Sequence, residues 1–251
     1  MNNTFQEKVI LITGAAGGFG QILAQKTAAR GARLVLGDLD LDALEALAAP
    51  LRDSGADVAT ARCDVSNEAD VAALVALATA EFGQLDIAVN NAGISGLFKP
   101  LIEIDEAEFD TNLAVNAKGV FFGIKHEVLQ MLKQDGGIIL NVASMAGLGA
   151  APMLGAYAAA KHAVVGLTKT AAVEYADKNI RVNAICPFFS PTPMVTSMAD
   201  EGMQGMLAKR CPMKRLGSPE EMVDVMITLI DPNNSYMTGQ TIAVDGGTSA
   251  F

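Results

Sequence analysis

Short β-branched runs alternate with helix-length stretches along the whole chain, and this rhythm constrains the fold more than any other feature. Runs at 8–13, 33–37, 57–63, 85–90, 137–143, 181–186 and 240–244 read as strands. Apolar residues at helical spacing fill about 18–30, 40–53, 67–82, 105–134, 154–178 and 218–230 between them. Parallel neighbours need a crossover of helical length, so repeated βα units predict an α/β fold with a doubly wound, mostly parallel central sheet. Most of the strand runs are continuously apolar, as expected for a sheet covered on both faces. Ser66 or Asn67 before Glu68 and Asp70, and Ser218-Pro219-Glu220-Glu221, read as helix starts.

With 251 residues, 51% of them apolar and 18% charged, the chain suits one domain over 1–251 and excludes disorder as the main state. Its 28 acidic and 18 basic residues give a formal charge of −10, which offers no basic footprint for nucleic acid or an anionic membrane. Cys63, Cys186 and Cys211 are widely spaced and suggest neither a disulfide framework nor a zinc cage. His126 and His162 lack acids at metal-binding spacing, so no metal site is expected and both read as structural. The first eight residues lack the pattern of a secretory signal, and the cytoplasm is the expected compartment. Two uncharged stretches mimic membrane spans. The first, 136–160, is broken by Asn141, Pro152 and glycines, and reads as a buried strand, a loop and a helix start. The second, 182–199, contains Pro187, Pro191 and Pro193 and reads as a loop over an apolar site. From 193 to 216 the period is lost while Met194, Met198, Met203, Met206 and Met213 accumulate, which reads as a mobile insertion.

Thr13-Gly14-Ala15-Ala16-Gly17-Gly18-Phe19-Gly20 follows the first strand and opens the first helix. Absent side chains let a pyrophosphate approach the helix N-terminus, where free N–H groups and the dipole favour anions. Alone, such a loop is also compatible with an ordinary turn, and it lacks the Gly-Lys-Ser/Thr ending of a P-loop. Asp38 closes the second strand, where a carboxylate accepts hydrogen bonds from adenosine ribose hydroxyls and repels a 2′-phosphate. NAD is thus favoured over NADP. The competing reading is that Asp38 or Asp40 caps the next helix.

Tyr157 and Lys161 stand four apart in a helical segment and share a face. A cation about 6 Å from a phenol, at an effective dielectric of about 20, lowers the cost of ionising it by roughly 3 kcal/mol. Tyr157 then serves as base in alcohol oxidation and as acid in ketone reduction. Ser144 lies just past the strand at 137–143, where ligands bind in open α/β sheets, and its hydroxyl can hold a substrate oxygen. Taken alone, Tyr-x-x-x-Lys also fits a surface pair.

The Thr-Gly-x-x-x-Gly-x-Gly loop, Asp64-Val65, Asn90-Asn91-Ala92-Gly93, Asn116, Ser144, Tyr157-x-x-x-Lys161 and Asp245-Gly246-Gly247 occur in the order of the classical short-chain dehydrogenase/reductase family, which the chain resembles over nearly its whole length. The resemblance implies a Rossmann fold, NAD(P)-dependent interconversion of alcohols and carbonyls, and a homotetramer. It makes Tyr157 the acid/base and Ser144 the group that orients the substrate oxygen. Lys161 binds the nicotinamide ribose, and Asn116 supports a proton relay through water to Lys161. Gly14, Gly18, Phe19, Gly20, Asp38, Asp64, Val65, Asn91, Ala92, Gly93, Tyr157, Lys161, Pro187 and Thr192 are the implied cofactor contacts. On the residues alone, Asn116 also fits a bond to helix backbone, and Asn90 to Gly93 a strand-ending turn. The family usually has glycine after Pro187, where this chain has Phe188, a ring expected to move the loop or narrow the pocket.

The expected pocket wall combines residues after Ser144, the Met153-Leu154 loop and a lid over 188–216. Few charges occur there and no carboxylate or phosphate clamp is evident, so a neutral, apolar secondary alcohol or ketone is the expected substrate. The methionines of the lid serve either an adaptable pocket or ordinary packing. The small-residue helix at 156–172 is a candidate subunit interface. The alternatives are an NADPH-dependent carbonyl or 3-oxoacyl reductase, against which Asp38 argues, and a dinucleotide-binding scaffold without turnover.

Overall fold

The computed structural model describes residues 4–250. Seven strands run in chain order: β1 (Val9–Thr13), β2 (Arg33–Asp38), β3 (Val58–Arg62), β4 (Ile87–Asn90), β5 (Gly137–Val142), β6 (Ile180–Pro187) and β7 (Thr241–Val244). They form one sheet in the order β3-β2-β1-β4-β5-β6-β7, every pairing parallel. The sheet is therefore wholly rather than mostly parallel. The order reverses between β1 and β4, which opens a crevice beyond their carboxyl ends.

The continuous apolar runs have the expected cause. Val9 and Leu11 of β1 join one buried cluster and Ile10 and Ile12 the other. The first cluster packs under α3 (Glu68–Phe82), α5 (Gly119–Met131) and α6 (Gly155–Tyr175), the second under α1 (Gly18–Ala28), α2 (Leu41–Asp53) and α9 (Pro219–Ile230). Both faces are dry, so both side-chain sets of a central strand are apolar.

Local chemistry places the helix starts. Asn67, rather than Ser66, caps α3 by accepting from the Ala69 N–H at 2.9 Å. Ser218 and Glu221 form a reciprocal capping box on α9, with Pro219 in its first turn. The helix expected over 105–134 is interrupted: α4 (Glu106–Asn112) passes through a π-helical turn, Leu113–Lys118, into α5. That turn holds Asn116, whose amide brackets the Ile94 backbone by donating to its carbonyl at 2.8 Å and accepting from its N–H at 3.0 Å. The bond goes to a loop rather than to helix backbone.

The segment read as an aperiodic insertion is helical instead, as α7 (Pro193–Met198) and α8 (Glu201–Arg210). Asp200 caps α8 by accepting from the Met203 N–H at 2.8 Å, with Glu201 in the first turn and Lys209 and Arg210 in the last. Capping and dipole complementarity hold α8, which buries no face of its own, whereas α7 has no side-chain cap and is anchored by the buried Val195. The loop reading of 182–199 holds for 188–192 only, since β6 continues to Pro187 and α7 begins at Pro193.

Candidate active site

A cavity of about 1110 Å³ lies over the carboxyl ends of the strands and contains nearly every residue singled out in the sequence. Gly14, Gly18, Phe19, Asp38, Asp64, Val65, Asn91, Ala92 and Gly93 line it on the glycine-loop side. Ser144, Tyr157, Lys161, Pro187 and Thr192 line it on the other. Gly20 and Asn116 stand behind the wall.

The glycine loop is held by bonds the sequence did not reveal. Gly14 has φ +62°, and a Cβ there would lie 2.8 Å from the Ala92 Cα, so both the conformation and the close approach require glycine. The Asn91 amide donates to the carbonyls of Thr13 and Gly14, each at 2.9 Å, and the Thr13 hydroxyl accepts from the Asn91 and Ala92 N–H groups. The turn after β4 thereby fixes the turn after β1. The N-terminus of α1, at Gly17, has no side-chain cap and faces the cavity. Asp40, not Asp38, caps α2, accepting from the Ala43 N–H at 3.0 Å. Asp38 lines the cavity and accepts from the Ala16 N–H at 2.9 Å and the Asp40 N–H at 3.2 Å. Asp64 is held below the ordinary carboxylate range by hydrogen bonds from the Ser66 hydroxyl and N–H.

Ser144 stands just past β5, and its hydroxyl accepts from the Ala146 N–H at 3.1 Å. Its side chain also lies near enough to the Tyr157 phenol to favour the ionised form of that group. Tyr157 and Lys161 occupy the first turns of α6, with the Lys161 Nζ 5.5 Å from the centre of the Tyr157 ring. The ammonium donates to the Val142 carbonyl at 2.8 Å. Gly93 lies against this pair, since a Cβ there would come 2.7 Å from the Asn116 Oδ1 and 3.6 Å from the Lys161 Nζ. Asn116 thus supports the loop beside Lys161.

The charge balance differs from the Coulomb expectation. Burial raises the Tyr157 phenol above its ordinary value, and the Ser144 side chain only partly opposes it. Burial also brings the Lys161 ammonium down from 10.5 to about 8. Desolvation at this wall outweighs the attraction between cation and phenolate, so the protein by itself favours a protonated phenol.

Thr192 begins α7 with a hydroxyl that makes no capping bond, and Gly18 faces it, a Cβ there lying 3.7 Å from the Thr192 Cγ2. Ser190 lines the same wall and is 2% exposed, with a hydroxyl that finds no partner among the described residues. An uncapped helix N-terminus, the ribose-height carboxylate of Asp38 and this orphaned hydroxyl, spread along one cleft, fit the diphosphate, adenosine and nicotinamide ends of a dinucleotide. Phe188 has no positive φ, so glycine is not required there. Its ring meets that of Phe189 edge-on at 5.1 Å, and Phe189 stacks on Phe98 at 6.5 Å, building an aromatic wall.

Met194, Met198, Met203 and Met206 line the cavity, whereas Met213 packs near Gly246 outside it. The wall also includes Phe98, which sequence reasoning missed, and Met145, Leu207 and Arg210, which fall within the stretches expected to form it without having been singled out. Met203, Met206, Leu207 and Arg210 follow i, i+3, i+4, i+7 spacing, a signal hidden because no helix was expected there. His126 bonds Glu68 at 3.1 Å, and His162 sits 2.9 Å from the Ala158 carbonyl. All three cysteines are buried and unpaired.

A family model described as Enoyl-(Acyl carrier protein) reductase matches residues 14–249. The chain belongs to the short-chain dehydrogenase/reductase family. It is 39% identical over 250 residues to cis-4-hydroxycyclohexanecarboxylate dehydrogenase of Sinomonas cyclohexanicum, covering 100% of both chains. It is 37% identical over 246 residues to cyclohexanol dehydrogenase of Acinetobacter sp. (strain SE19), covering 98% of this chain and 96% of the relative. A solved 3-ketoacyl-(acyl-carrier-protein) reductase from Brucella melitensis, complexed with NADH, superposes with a TM-score of 0.91 at 35% identity, covering 98% of this chain and 99% of that one. As a member of this family the chain is an oxidoreductase with a nicotinamide dinucleotide cofactor. Among the described residues no helix is long and apolar enough to cross a membrane.

Proposed function

We propose that this oxidoreductase is NAD-dependent and interconverts an apolar, cyclic secondary alcohol and its ketone. The observation that carries the reading is the convergence of Ser144, Tyr157 and Lys161 on the cavity that also contains the glycine loop and Asp38. The bound dinucleotide supplies hydride transfer at its nicotinamide ring. The N-terminus of α1 and the Gly14 turn hold its diphosphate, with Gly18, Phe19 and Gly20 shaping that approach and Asp38 accepting from the adenosine ribose. Asp64 and Val65 flank the adenine, and Asn91, Ala92 and Gly93 form the floor. Lys161 donates to the second ribose, while Pro187 and the free Thr192 hydroxyl meet the carboxamide.

At the reacting carbon, Ser144 and Tyr157 donate hydrogen bonds to the substrate oxygen. In reduction the protonated phenol delivers its proton to that oxygen as the alcohol forms. In oxidation the same oxygen returns the proton, and Lys161 stabilises the phenolate. Asn116, braced on Ile94, shapes the turn through which a water chain relays protons to Lys161. The wall at this end is aromatic and methionine-rich, so it excludes water and grips a ring by area rather than by hydrogen bonds. The two curated relatives described above carry cyclohexane-type names, which supports a ring of that size. The lid spans 188–216 within a single domain, the assembly is a homotetramer, and the compartment is the cytoplasm.

NADH absorbance followed with cyclohexanol and cyclohexanone tests the reading. Turnover with NAD exceeding that with NADP supports it. Binding of NADH without transfer to any ketone of a broad panel would instead identify a scaffold. The likeness to a 3-ketoacyl reductase favours one second reading, reduction of a 3-oxoacyl thioester, which faster turnover of that substrate than of ring ketones would establish.

A further inference from the structure

The inner face of α8 ends in a cation. Met203, Met206, Leu207 and Arg210 recur at helical spacing and all four line the cavity, so Arg210 lies on the face turned to the substrate space. A basic residue in the last turn of a helix is explained by the dipole alone, but Lys209 already supplies one there. The nearby Arg215 is neutralised by Glu221, through bonds of 2.6 and 2.7 Å. Arg210 is exposed at the rim of the cavity, and its guanidinium, with five donors, makes no hydrogen bond or ion pair among the described residues, which leaves all five open to a ligand. Its backbone is anchored, because Cys211 is 2% exposed and its N–H bonds the carbonyls of Leu207 and Ala208. The carboxylates in the wall stand at the end of β2 (Asp38), just after it (Asp40) and after β3 (Asp64), whereas α8 belongs to the segment that follows β6 on the other half of the sheet.

We infer that Arg210 is a specificity residue that receives a carboxylate on the substrate, on the side of its ring away from the reacting carbon. The ring packs against Met203, Met206 and Leu207, and the planar fork of the guanidinium matches a carboxylate through two parallel hydrogen bonds. This inference rests on the ring-alcohol reading of the same site and adds a charge to the substrate, where the sequence alone suggested a neutral one. The other source of anionic oxygens in the cleft is the diphosphate of the dinucleotide, and the test separates the two.

The test is calorimetric titration of the NADH-loaded protein with cyclohexanecarboxylate and with its neutral isostere, cyclohexanecarboxamide, together with titration of NADH itself. Neither ring compound has a hydroxyl to oxidise or a ketone to reduce, so the result is independent of whether the protein turns over any alcohol. The acid is expected to bind about threefold to fivefold more tightly than the amide, the range for a charge pair at an exposed arginine. Arg210→Met and Arg210→Gln are expected to bring that ratio to about one, Arg210→Lys to retain part of it, and Arg210→Glu to invert it. Equal affinity of acid and amide for the parent protein overturns the inference, as does an acid preference that survives in Arg210→Met. A loss of NADH affinity in Arg210→Met equal to the loss of acid affinity also overturns it and assigns Arg210 to the diphosphate.

Discussion

Glu127→Gln should stabilise the protein, and by an amount that grows with pH. Glu127 sits on α5 behind β4 and β5 and is 1% exposed. One carboxyl oxygen accepts from the Asn90 amide at 3.1 Å, and the other has no partner among the described residues. Burial pushes its pKa from 4.5 up to about 8, with only the Asn90 hydrogen bond opposing. A raised carboxyl pKa means that the folded chain keeps a proton the unfolded chain releases, so this group lowers stability as pH rises from about 4.5 to about 8. At about 1.36 kcal/mol per pH unit across that window, the destabilisation has a ceiling of about 5 kcal/mol above pH 8 and is about 1 kcal/mol at pH 5. Glutamine keeps the acceptor for Asn90 and cannot ionise. Its advantage over the parent should therefore widen by roughly 3 kcal/mol between pH 5 and pH 8. Lys161 acts with the opposite sign: its pKa is lowered to about 8, and the cost of burying the cation is relieved only as pH climbs from there toward 10.5. The two windows meet near pH 8 without overlapping. Urea unfolding followed by circular dichroism at pH 5, 6, 7 and 8 measures the difference, and a constant offset between the two proteins refutes the reasoning.

Three further outcomes are expected. Tyr157→Phe should cut turnover by about 10²–10⁴-fold while NADH affinity, read by fluorescence titration, is kept; equal loss of both would give the hydroxyl a structural role. Asp38→Ala should raise the ratio of NADP to NAD turnover, and an unchanged ratio would leave the carboxylate only its loop contacts to Ala16 and Asp40. Gly123→Ala should destabilise by about 1–3 kcal/mol, because the added methyl meets the buried Asn90 Oδ1; an unchanged thermal midpoint would show that Asn90 can shift.

The strands were legible because both faces of the sheet are dry, so apolarity persists through each run, and the acceptor-rich caps at Asn67 and Ser218 marked helix starts as clearly. The convergence of Ser144, Tyr157 and Lys161 was also readable, since a four-residue helical spacing and the end of a parallel strand both have fixed geometry. Long-range geometry was not readable. Nothing local to Asn116 announces a π-helical turn, and the backbone its side chain meets there, at Ile94, lies 22 residues away. The segment at 193–216 was misread for a different reason. Its helices carry Asp200 and the Lys209-Arg210 pair as end signals, but the apolar face of α8 looks into a cavity instead of a core, which weakened the periodicity on which the reading relied.

The phenol shows most clearly what a sequence-level estimate leaves out. Coulomb attraction at about 6 Å and a dielectric of about 20 argued for an acidified Tyr157. The wall that holds Lys161, with its bond to the Val142 carbonyl, leaves the ammonium 3% exposed, and Tyr157 beside it is half-buried. Desolvation penalises the phenolate and the ammonium alike, whereas attraction helps only when both are charged. The residues of this wall accordingly favour a neutral phenol beside a lysine whose pKa is brought down to about 8. Such a pair is prepared to donate a proton to a ketone oxygen before it is prepared to take one from an alcohol. On the proposed mechanism, operation as a base would be favoured by a further positive charge at the site, of the kind an oxidised nicotinamide ring would supply. Coupling the protonation state of Tyr157 to the redox state of the cofactor in this way would let one phenol serve both directions without a second acid or base.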